Sequence, residues 1–421
     1  DVAAVKAAYR RRSLQLHPDK NMITNDHSSA GSTPSASLLC AETTIRRQVV
    51  MRPKMGSRPA FERARMAFLT LNGDCYREEY ISKLSMQPPR SFATVEDEWV
   101  KQALMELADK RLLQLQKQIG ILFLDKYEID FQKKFGEGVV SVTVLAKDKV
   151  SGEQLAVKVV DTRKQRLERI LKECSIMSVL NHPNIIKFKD HGPGQGAFQN
   201  SYFIAMEMAS SGELFDRVID HGADGMPEPA ARVYFVQILK AVRHCHHLGI
   251  AHRCLSLENI MLHGEGTVKL RGFGLSHVYP RGADGKVDCS KPLEDVCGAK
   301  SYMAPEVCLL RSRPSKGYDG FTCDAWSLGV CLFAMIANFF PLEEASNSDW
   351  RFTRLMAEQA GGGSTTVTVH GWYQRTTFHL SCDLVDLLDK LLLIDPSKRV
   401  GLEKAWKHPW CQDGAAAAAA A

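Results

Sequence analysis

The spacing of hydrophobic and polar positions changes near Tyr127. Beyond it, short runs rich in β-branched and aromatic residues predict strands, and longer runs with apolar residues three and four apart predict helices. The predicted strands cover 128–135, 139–147, 154–160 and a pair near 186–208, and the predicted helices cover 165–179 and most of 213–410. Strands first and helices later predict an α+β fold with two lobes, one rich in strands and one helical.

The earlier part of the chain is helical but interrupted. Residues 2–16 hold strong helix formers, and this helix should end near Pro18, because the residue before a proline avoids the helical conformation. Residues 22–60 are rich in Ser, Thr, Gly and Pro and predict a disordered insertion. Further helices are predicted at 58–71 and 95–118, the second of which fits a linker or docking helix.

Composition and charge narrow the class of protein. The chain has 421 residues, of which 45% are hydrophobic and 24% charged, and these values exclude a collagen, a wholly disordered chain and a small disulfide scaffold. The net charge is +6, and residues 1–90 hold 15 Lys and Arg against 8 Asp and Glu. Such a basic region can meet an acidic partner or be a solvated face. We expect protein partners and no nucleic acid.

Twelve cysteines are scattered from Cys40 to Cys411 without a C-x-x-C pair. This spacing favours neither a zinc site nor a thioredoxin-like motif, and scattered thiols fit a reducing compartment, so we expect a cytoplasmic or nuclear protein. The longest apolar stretch, Trp326 to Leu342, is short and is broken by polar residues and Pro341. It predicts a buried core helix, and we expect no membrane span.

The first basic helix ends in the tripeptide His17-Pro18-Asp19. With the residues before it, this tripeptide resembles the second helix and loop of a J-domain, the co-chaperone module that stimulates DnaK-type heat-shock ATPases. The resemblance implies that His17, Pro18 and Asp19 contact an acidic chaperone surface, steered by charge. The first J-domain helix is not matched, and the insertion separates the loop from the third helix. The third helix and its flank are matched by Phe61, Ala67, Phe68, Leu71, Arg77 and Tyr80.

Short motifs follow one another in a fixed order in the later part of the chain. They are KFGEGVVSVTV (134–144), AVK (156–158), Glu173, HPNI (182–185), Met206-Glu207, GEL (212–214), HRCLSLEN (252–259), GFG (272–274), APE (304–306) and DAWSLG (324–329). This order resembles a eukaryotic protein kinase, in particular the calmodulin-dependent and Snf-related Ser/Thr kinases, over about 127–410. The resemblance implies a two-lobed protein-kinase-like fold with ATP as cofactor.

The resemblance also places a nucleotide site between the lobes. Gly136 and Gly138 would let backbone N–H groups approach phosphates closely, while Ser141 takes the third glycine position. Lys158 would pair with phosphates and be held by Glu173, and the alternative is that both are ordinary surface residues. The other implied contacts are Val144 and Ala156 in the pocket, Met206 beside adenine, the hinge backbone of Glu207 and Met208, and Glu213 toward the ribose or a basic substrate residue.

The catalytic loop of active members reads HRDLKxEN, whereas this one reads HRCLSLEN. Cys254 replaces the aspartate that accepts the substrate proton, and Ser256 replaces the lysine that steadies the phosphoryl group. Asn259, a ligand to one metal ion, is kept, but Gly272 stands where the family has its Mg²⁺-binding aspartate. Ala299 replaces a threonine that bonds the catalytic aspartate. Loss of a general base costs about 10²–10⁴ in rate, and a lost metal ligand removes electrostatic stabilisation of the phosphoryl group.

Residues that support the loop are present. His252 and Phe273 fit the family's hydrophobic spine, and Asp324 would anchor the catalytic-loop backbone. Glu306 would pair with a distant arginine, for which Arg399 is the candidate. The residues that support the catalytic loop are therefore kept, whereas residues that act in phosphoryl transfer are replaced.

Two further features could suggest a cation site. Arg271 could supply positive charge in place of the metal, but as the strand neighbour of Gly272 it should point the opposite way. The HCHH run from His244 to His247 could suggest metal ligands, yet it is ordinary sequence for the helix that leads to a kinase catalytic loop.

These inferences lead to the hypothesis of a pseudokinase that binds ATP weakly, without needing Mg²⁺, and acts through protein partners that could include a DnaK-type chaperone. One alternative is an active ATP-dependent Ser/Thr kinase with an atypical catalytic loop. A second is a co-chaperone whose kinase fold docks clients. The expected domains are a partial J-domain-like helical segment at 1–84, a helical linker at 85–126, the kinase-like unit at 127–410 and a tail at 411–421.

Overall fold

The computed structural model describes residues 123–222, 224–282, 284–310 and 317–412. The J-domain-like segment at 1–84, nearly all of the linker at 85–126 and the tail beyond 412 lie outside the described residues. What the sequence predicts for those segments stays a prediction.

A five-stranded antiparallel sheet builds the N-terminal lobe, with the strand order β1-β2-β3-β5-β4. Its elements are α1 (Phe123–Lys126), β1 (Tyr127–Glu137), β2 (Ser141–Asp148), β3 (Gln154–Asp161), α2 (Leu167–Val179), β4 (Phe188–Pro193) and β5 (Ser201–Glu207). The predicted order of three strands, a helix and a strand pair is confirmed.

The residue alternation of β3 explains which side chains face the predicted pocket. Leu155, Val157 and Val159 are buried in the core of the lobe, and they alternate with Ala156 and Lys158. Because successive side chains of a strand point to opposite faces, Ala156 and Lys158 share the second face. One short β-branched strand therefore supplies both a core wall and a pocket wall.

The C-terminal lobe is helical. Its elements are α3 (Leu214–Asp220), α4 (Glu228–His247), β6 (Ile250–Ala251), β7 (Ile260–His263), β8 (Thr267–Leu270), β9 (His277–Val278), α5 (Pro305–Leu309), α6 (Gly320–Ala337), α7 (Trp350–Ala360), α8 (Thr365–Trp372), α9 (Cys382–Leu391) and α10 (Leu402–Trp406). The helix α6 lies at its centre and is buried along nearly its whole length. Asp319 caps its first turn by accepting hydrogen bonds from two backbone N–H groups.

Within the described residues, α6 is the one helix that is long and apolar enough to cross a membrane. However, 89% of it is buried inside the protein. The prediction of a buried core helix from Trp326 onward is confirmed, although the helix starts earlier and ends at Ala337.

Two short antiparallel pairs position the predicted catalytic segments. β6 pairs with β9, and β7 pairs with β8. The segment 252–259 runs from β6 to β7, and the segment 271–276 runs from β8 to β9. Because both pairs are antiparallel, the two segments lie side by side, and the Arg271 N–H donates to the Asn259 carbonyl over 2.9 Å.

Candidate functional site

Lys158 and Glu173 form an ion pair on the sheet side of the predicted pocket. Lys158 Nζ lies 2.8 Å from Glu173 Oε1 and 3.0 Å from Oε2. The Glu173 side chain, on the buried face of α2, is 4% exposed, whereas that of Lys158 is 23% exposed. A buried carboxylate requires such a partner. The predicted pair is confirmed, and the alternative of two surface residues is wrong.

The glycine-rich turn joins β1 to β2. The Gly138 N–H donates to the Ser141 carbonyl over 2.8 Å and closes the turn. A Cβ added at Gly136 would meet no heavy atom within 4 Å. The space beside Gly136 is therefore open to an approaching ligand, as a phosphate-binding turn requires.

The structure corrects one predicted pocket residue. Val144 is fully buried in the core of the N-terminal lobe, so it does not line the pocket. Its neighbour Thr143 lies opposite Lys158 in the β2–β3 register. Directly paired residues of neighbouring strands share a face, so Thr143 takes the pocket position.

The predicted hinge follows β5. The Glu207 carboxylate accepts hydrogen bonds from Lys269 Nζ at 2.9 and 3.0 Å, and its backbone N–H donates to the Lys187 carbonyl over 2.9 Å. The Glu207 side chain therefore ties the sheet to β8. Met208, the next residue of the predicted hinge, is partly buried.

Glu213 pairs with a cation of the chain itself. Arg271 Nη2 donates to Glu213 Oε1 over 2.7 Å and to the Glu258 carbonyl over 3.1 Å. Burial raises the pKa of Glu213, and Arg271 acts in the opposite direction. The sequence analysis expected Glu213 to meet a ribose or a basic substrate residue and missed this ion pair, since it considered Arg271 only as the strand neighbour of Gly272.

Cys254 is buried at the position of the proton acceptor, 4% exposed. Asn259 Nδ2 donates to the Cys254 carbonyl over 2.8 Å and lies 3.4 Å from its Sγ. The asparagine amide is therefore turned back onto its own loop. A cysteine in this place does not supply the carboxylate that accepts the hydroxyl proton in the family.

Gly272 adopts a left-handed backbone conformation with φ 92° and ψ 43°. A Cβ added there would lie 2.7 Å from both Cγ and Oδ1 of Asn259. The space of a side chain at this position is thus already filled by the Asn259 amide. Only glycine fits here without a shift of Asn259.

The donor atoms present do not suit Mg²⁺. This ion prefers octahedral coordination by oxygen atoms, usually with one or two carboxylates. Of the three positions where the family has its catalytic aspartate, its metal-binding asparagine and its metal-binding aspartate, only Asn259 offers a side-chain oxygen, since the other two are Cys254 and Gly272. Among the described residues, no group of three or more His, Cys, Asp or Glu side chains could hold a metal ion.

Glu258 gives the loop a buried carboxyl that sequence reasoning passed over. Burial raises its pKa, while hydrogen bonds from the Ser256 and Tyr302 hydroxyls act against that rise. Its Oε2 atom is buried without a hydrogen-bond partner among the described residues. Ser256, buried where the family has its lysine, therefore serves the internal structure of the loop.

His252 is buried and neutral in the spine below the loop. Its Nδ1 accepts from the Cys254 N–H over 3.2 Å, so Nε2 carries the proton and donates to the Arg271 carbonyl over 3.0 Å. Burial lowers its pKa. Its ring meets the ring of Phe273 edge-on at 4.9 Å. The predicted spine contact is confirmed.

Asp324 anchors the loop, as predicted. Its carboxylate accepts from the N–H groups of His252 and Arg253 over 2.8 and 2.7 Å, and from His246 Nε2 over 2.8 Å. Arg253 has a φ of 61°, which is unfavourable for a residue with a Cβ. The buried carboxylate of Asp324 holds the backbone in this conformation.

The Arg253 side chain links the loop to the segment before α5. Its Nη1 donates to Asp295 Oδ1 over 2.5 Å and to the Tyr318 hydroxyl over 3.0 Å, and its Nε donates to the Leu275 carbonyl over 2.8 Å. Burial disfavours the charge of Arg253, but Cys297, Tyr318 and Asp295 raise its pKa above the usual value. The sequence analysis did not identify Asp295 as a partner of Arg253. The available sequence signal for this pair was the opposite charge of the two side chains.

Arg399 and Glu306 form the predicted long-range pair. Nη1 lies 2.6 Å from Oε1, and Nη2 lies 2.9 Å from Oε2. The arginine side chain is completely buried, and its guanidinium also lies 5.1 Å from the Trp326 ring. Two parallel charge-assisted hydrogen bonds make this a strong pair.

The HCHH run is distributed among different partners. His246 binds Asp324, and His247 lies 2.8 Å from Glu403 Oε1. The His244 ring packs against that of His182, and Cys245 is buried with a raised pKa because of its burial. These side chains serve the packing of α4.

Comparison with known proteins agrees with this geometry. The protein kinase domain model matches residues 129–411. The chain is 32% identical to serine/threonine-protein kinase SIK1 of Rattus norvegicus over 67% of its length and 32% of that protein. It is 31% identical to the SNF-related serine/threonine-protein kinase of Homo sapiens, covering 67% of the chain and 33% of that protein. It is 32% identical to CBL-interacting serine/threonine-protein kinase 16 of Arabidopsis thaliana, covering 69% and 57%.

The chain thus spans a third to somewhat over half of these relatives. The matched family model covers more than half of the chain, and it coincides with the two lobes, the Lys158–Glu173 pair and the Glu306–Arg399 pair. The chain belongs to the protein kinase family, with a domain like those of SNF-related Ser/Thr kinases.

Proposed function

We propose that this chain is a pseudokinase, a kinase domain that is catalytically dead or severely impaired and acts by binding nucleotide and protein. The observation that carries the proposal is that Gly272 stands at the position of the metal-binding aspartate, where an added Cβ would lie 2.7 Å from the Asn259 amide, so that a side chain there requires Asn259 to shift. The same amide donates to the Cys254 carbonyl. Loss of the general base alone removes about 10²–10⁴ in rate. The loss of the metal-binding aspartate impairs the same phosphoryl-transfer step, because the metal ion stabilises the charge that develops on the phosphoryl group.

Binding of ATP is supported by the other side of the cleft. The Lys158–Glu173 pair, the open space beside Gly136 and the segment after β5 form the kind of site in which protein kinase domains hold ATP. Without a carboxylate at residue 272 to hold Mg²⁺, the affinity for ATP should be low and nearly independent of Mg²⁺.

The decisive experiment is a thermal shift with ATP, with and without Mg²⁺. We expect the same small stabilisation of the wild-type chain in both conditions. The double variant Cys254→Asp/Gly272→Asp should gain a stabilisation that requires Mg²⁺. The matched control is Cys254→Asp/Gly272→Ala, which brings the same Cβ against Asn259 without the carboxylate. An equal Mg²⁺ response in wild type and double variant would overturn the lost-metal argument.

An active kinase with an atypical loop is the competing function. It predicts transfer of phosphate from Mg·ATP to a peptide or to the chain itself, at a rate that falls in Lys158→Met. Turnover at an ordinary kinase rate of about 1–100 s⁻¹ would overturn the pseudokinase proposal. Incorporation of phosphate at the background level, unchanged in Lys158→Met, would support the pseudokinase proposal.

The tripeptide His17-Pro18-Asp19 supports a separate proposal, contact with a DnaK-type chaperone. The expected result is stimulation of the ATPase of such a chaperone by the chain, and its loss in His17→Gln. The control is Lys158→Met, which leaves the tripeptide unchanged. No stimulation by the wild-type chain would remove this proposal.

A further inference from the structure

The Arg271 side chain contacts Glu213, which the family resemblance assigns to the nucleotide site. Its backbone is fixed at both ends, since its N–H donates to the Asn259 carbonyl over 2.9 Å and its carbonyl accepts from His252 Nε2 over 3.0 Å. The main-chain position is therefore set by the loop. The role of the Arg271 side chain therefore depends on the group that its guanidinium binds.

That partner is Glu213, immediately before α3. The ion pair is 2.7 Å long, and the two side chains are 26% and 31% exposed, so it lies at an accessible surface rather than in the core. Arg271 Nη2 also donates to the Glu258 carbonyl, and its Nε has no hydrogen-bond partner among the described residues. A ligand in the cleft thus meets a Glu213 carboxylate whose Oε1 atom already accepts a hydrogen bond from a guanidinium.

A free carboxylate at Glu213 would accept hydrogen bonds from ribose hydroxyls, and hydrogen bonds to a charged acceptor are among the stronger ones. An oxygen held by a guanidinium has lost part of that capacity. We infer that Arg271 is a specificity-determining residue of the nucleotide site: by holding Glu213, it removes the preference for a ribose over a 2′-deoxyribose. This inference rests on the proposed nucleotide binding.

The test compares the dissociation constants of ATP and 2′-deoxy-ATP by calorimetry on the full chain, without added metal. The wild-type chain should bind the two with a ratio within about twofold. Arg271→Met keeps a side chain of similar length and frees Glu213, so it should favour ATP by about tenfold, the value of one hydrogen bond to a charged group. Because burial raises the pKa of Glu213 and Arg271 lowers it, the measurement is made at pH 8, which favours the ionised carboxylate.

Two controls separate the pair from a general disturbance of the cleft. Glu213→Gln in the Arg271→Met background should return the ratio to about one, because the charged acceptor is gone. Lys269→Met breaks the neighbouring ion pair with Glu207 and should leave the ratio at the wild-type value.

A wild-type preference for ATP of tenfold or more would overturn the inference without any variant. A ratio near one in Arg271→Met would overturn it as well, while nucleotide binding itself stands. If neither nucleotide binds to any of these proteins, the proposed function fails and this inference with it.

Discussion

The two sides of the cleft differ in what they keep. The sheet side holds a cation and a carboxylate in direct contact, with Lys158 2.8 Å from Glu173. The helical side has Cys254 and Gly272 where carboxylates would handle a proton and a metal ion, and Asn259 fills the space between them. The comparison shows that the residues that stabilise this fold and the residues at the positions of phosphoryl transfer are different sets. Groups buried within the protein hold its shape, whereas groups that face the reacting atoms can be replaced without loss of the fold.

The clearest test of this distinction is the deepest supporting pair. Glu306→Ala should lower the free energy of unfolding by about 3–5 kcal/mol, because it leaves the Arg399 guanidinium buried without its carboxylate. Urea denaturation measures the change. The matched control is Glu403→Gln at the exposed Arg243–Glu403 pair, whose glutamate is 56% exposed, and this should cost less than about 1 kcal/mol. Equal effects would show that burial does not set the value of these pairs.

The sheet side of the cleft should behave as structure as well as ligand site. Lys158→Met leaves the nearly buried Glu173 carboxylate without its partner and should cost about 2–3 kcal/mol. Lys158→Met/Glu173→Met should recover most of that loss, since both polar groups are then gone. Thermal denaturation of both variants checks this. A double variant no more stable than the single one would mean that the carboxylate is not what destabilises it.

How much the sequence could predict follows the same division. Lys158, Glu173, Asp324 and Glu306 lie at motif positions on strands and helices, so their partners follow from the fold, even where the partner, Arg399, lies in the loop between α9 and α10. Val144 was assigned to the wrong face because a one-residue shift along a strand turns every side chain over. No periodicity indicates which carboxylate a side chain chooses when distant segments meet. The partners of Arg271 and Arg253 were therefore missed.

The Gly272–Asn259 contact can be broken separately. Gly272→Ala adds a Cβ at a positive φ and 2.7 Å from the Asn259 amide, and should cost about 1–3 kcal/mol. When Asn259→Ala is added to Gly272→Ala, the destabilisation caused by the steric clash should disappear. The destabilisation caused by the positive φ at residue 272 should persist. A double-mutant cycle by urea denaturation gives the coupling directly. If the two substitutions changed the free energy of unfolding additively, Asn259 would move away from the new Cβ at no cost, and an aspartate at residue 272 could be accommodated.

The smallest effect is expected at the link between the loop and the segment before α5. Arg253 holds the pKa of Asp295 below its usual value, although burial acts against this. A lowered pKa means that the carboxylate contributes stability at neutral pH and loses it as the pH falls through the folded-state pKa, below the ordinary value of about 3.9. Because the Asp295 side chain is 62% exposed, Asp295→Asn should cost only about 1 kcal/mol at pH 7.

The same variant gives a pH signature that a packing defect would not. The difference in unfolding free energy between wild type and Asp295→Asn should be constant from pH 7 to about pH 5 and should close below about pH 4, as the wild-type carboxyl takes up its proton. Glu294→Gln, a change at the neighbouring exposed carboxylate, should show no difference at any pH. A gap for Asp295→Asn that persists unchanged at pH 3.5 would show that the Arg253–Asp295 charge pair does not hold this segment, and that the Tyr318 and Leu275 contacts of Arg253 suffice.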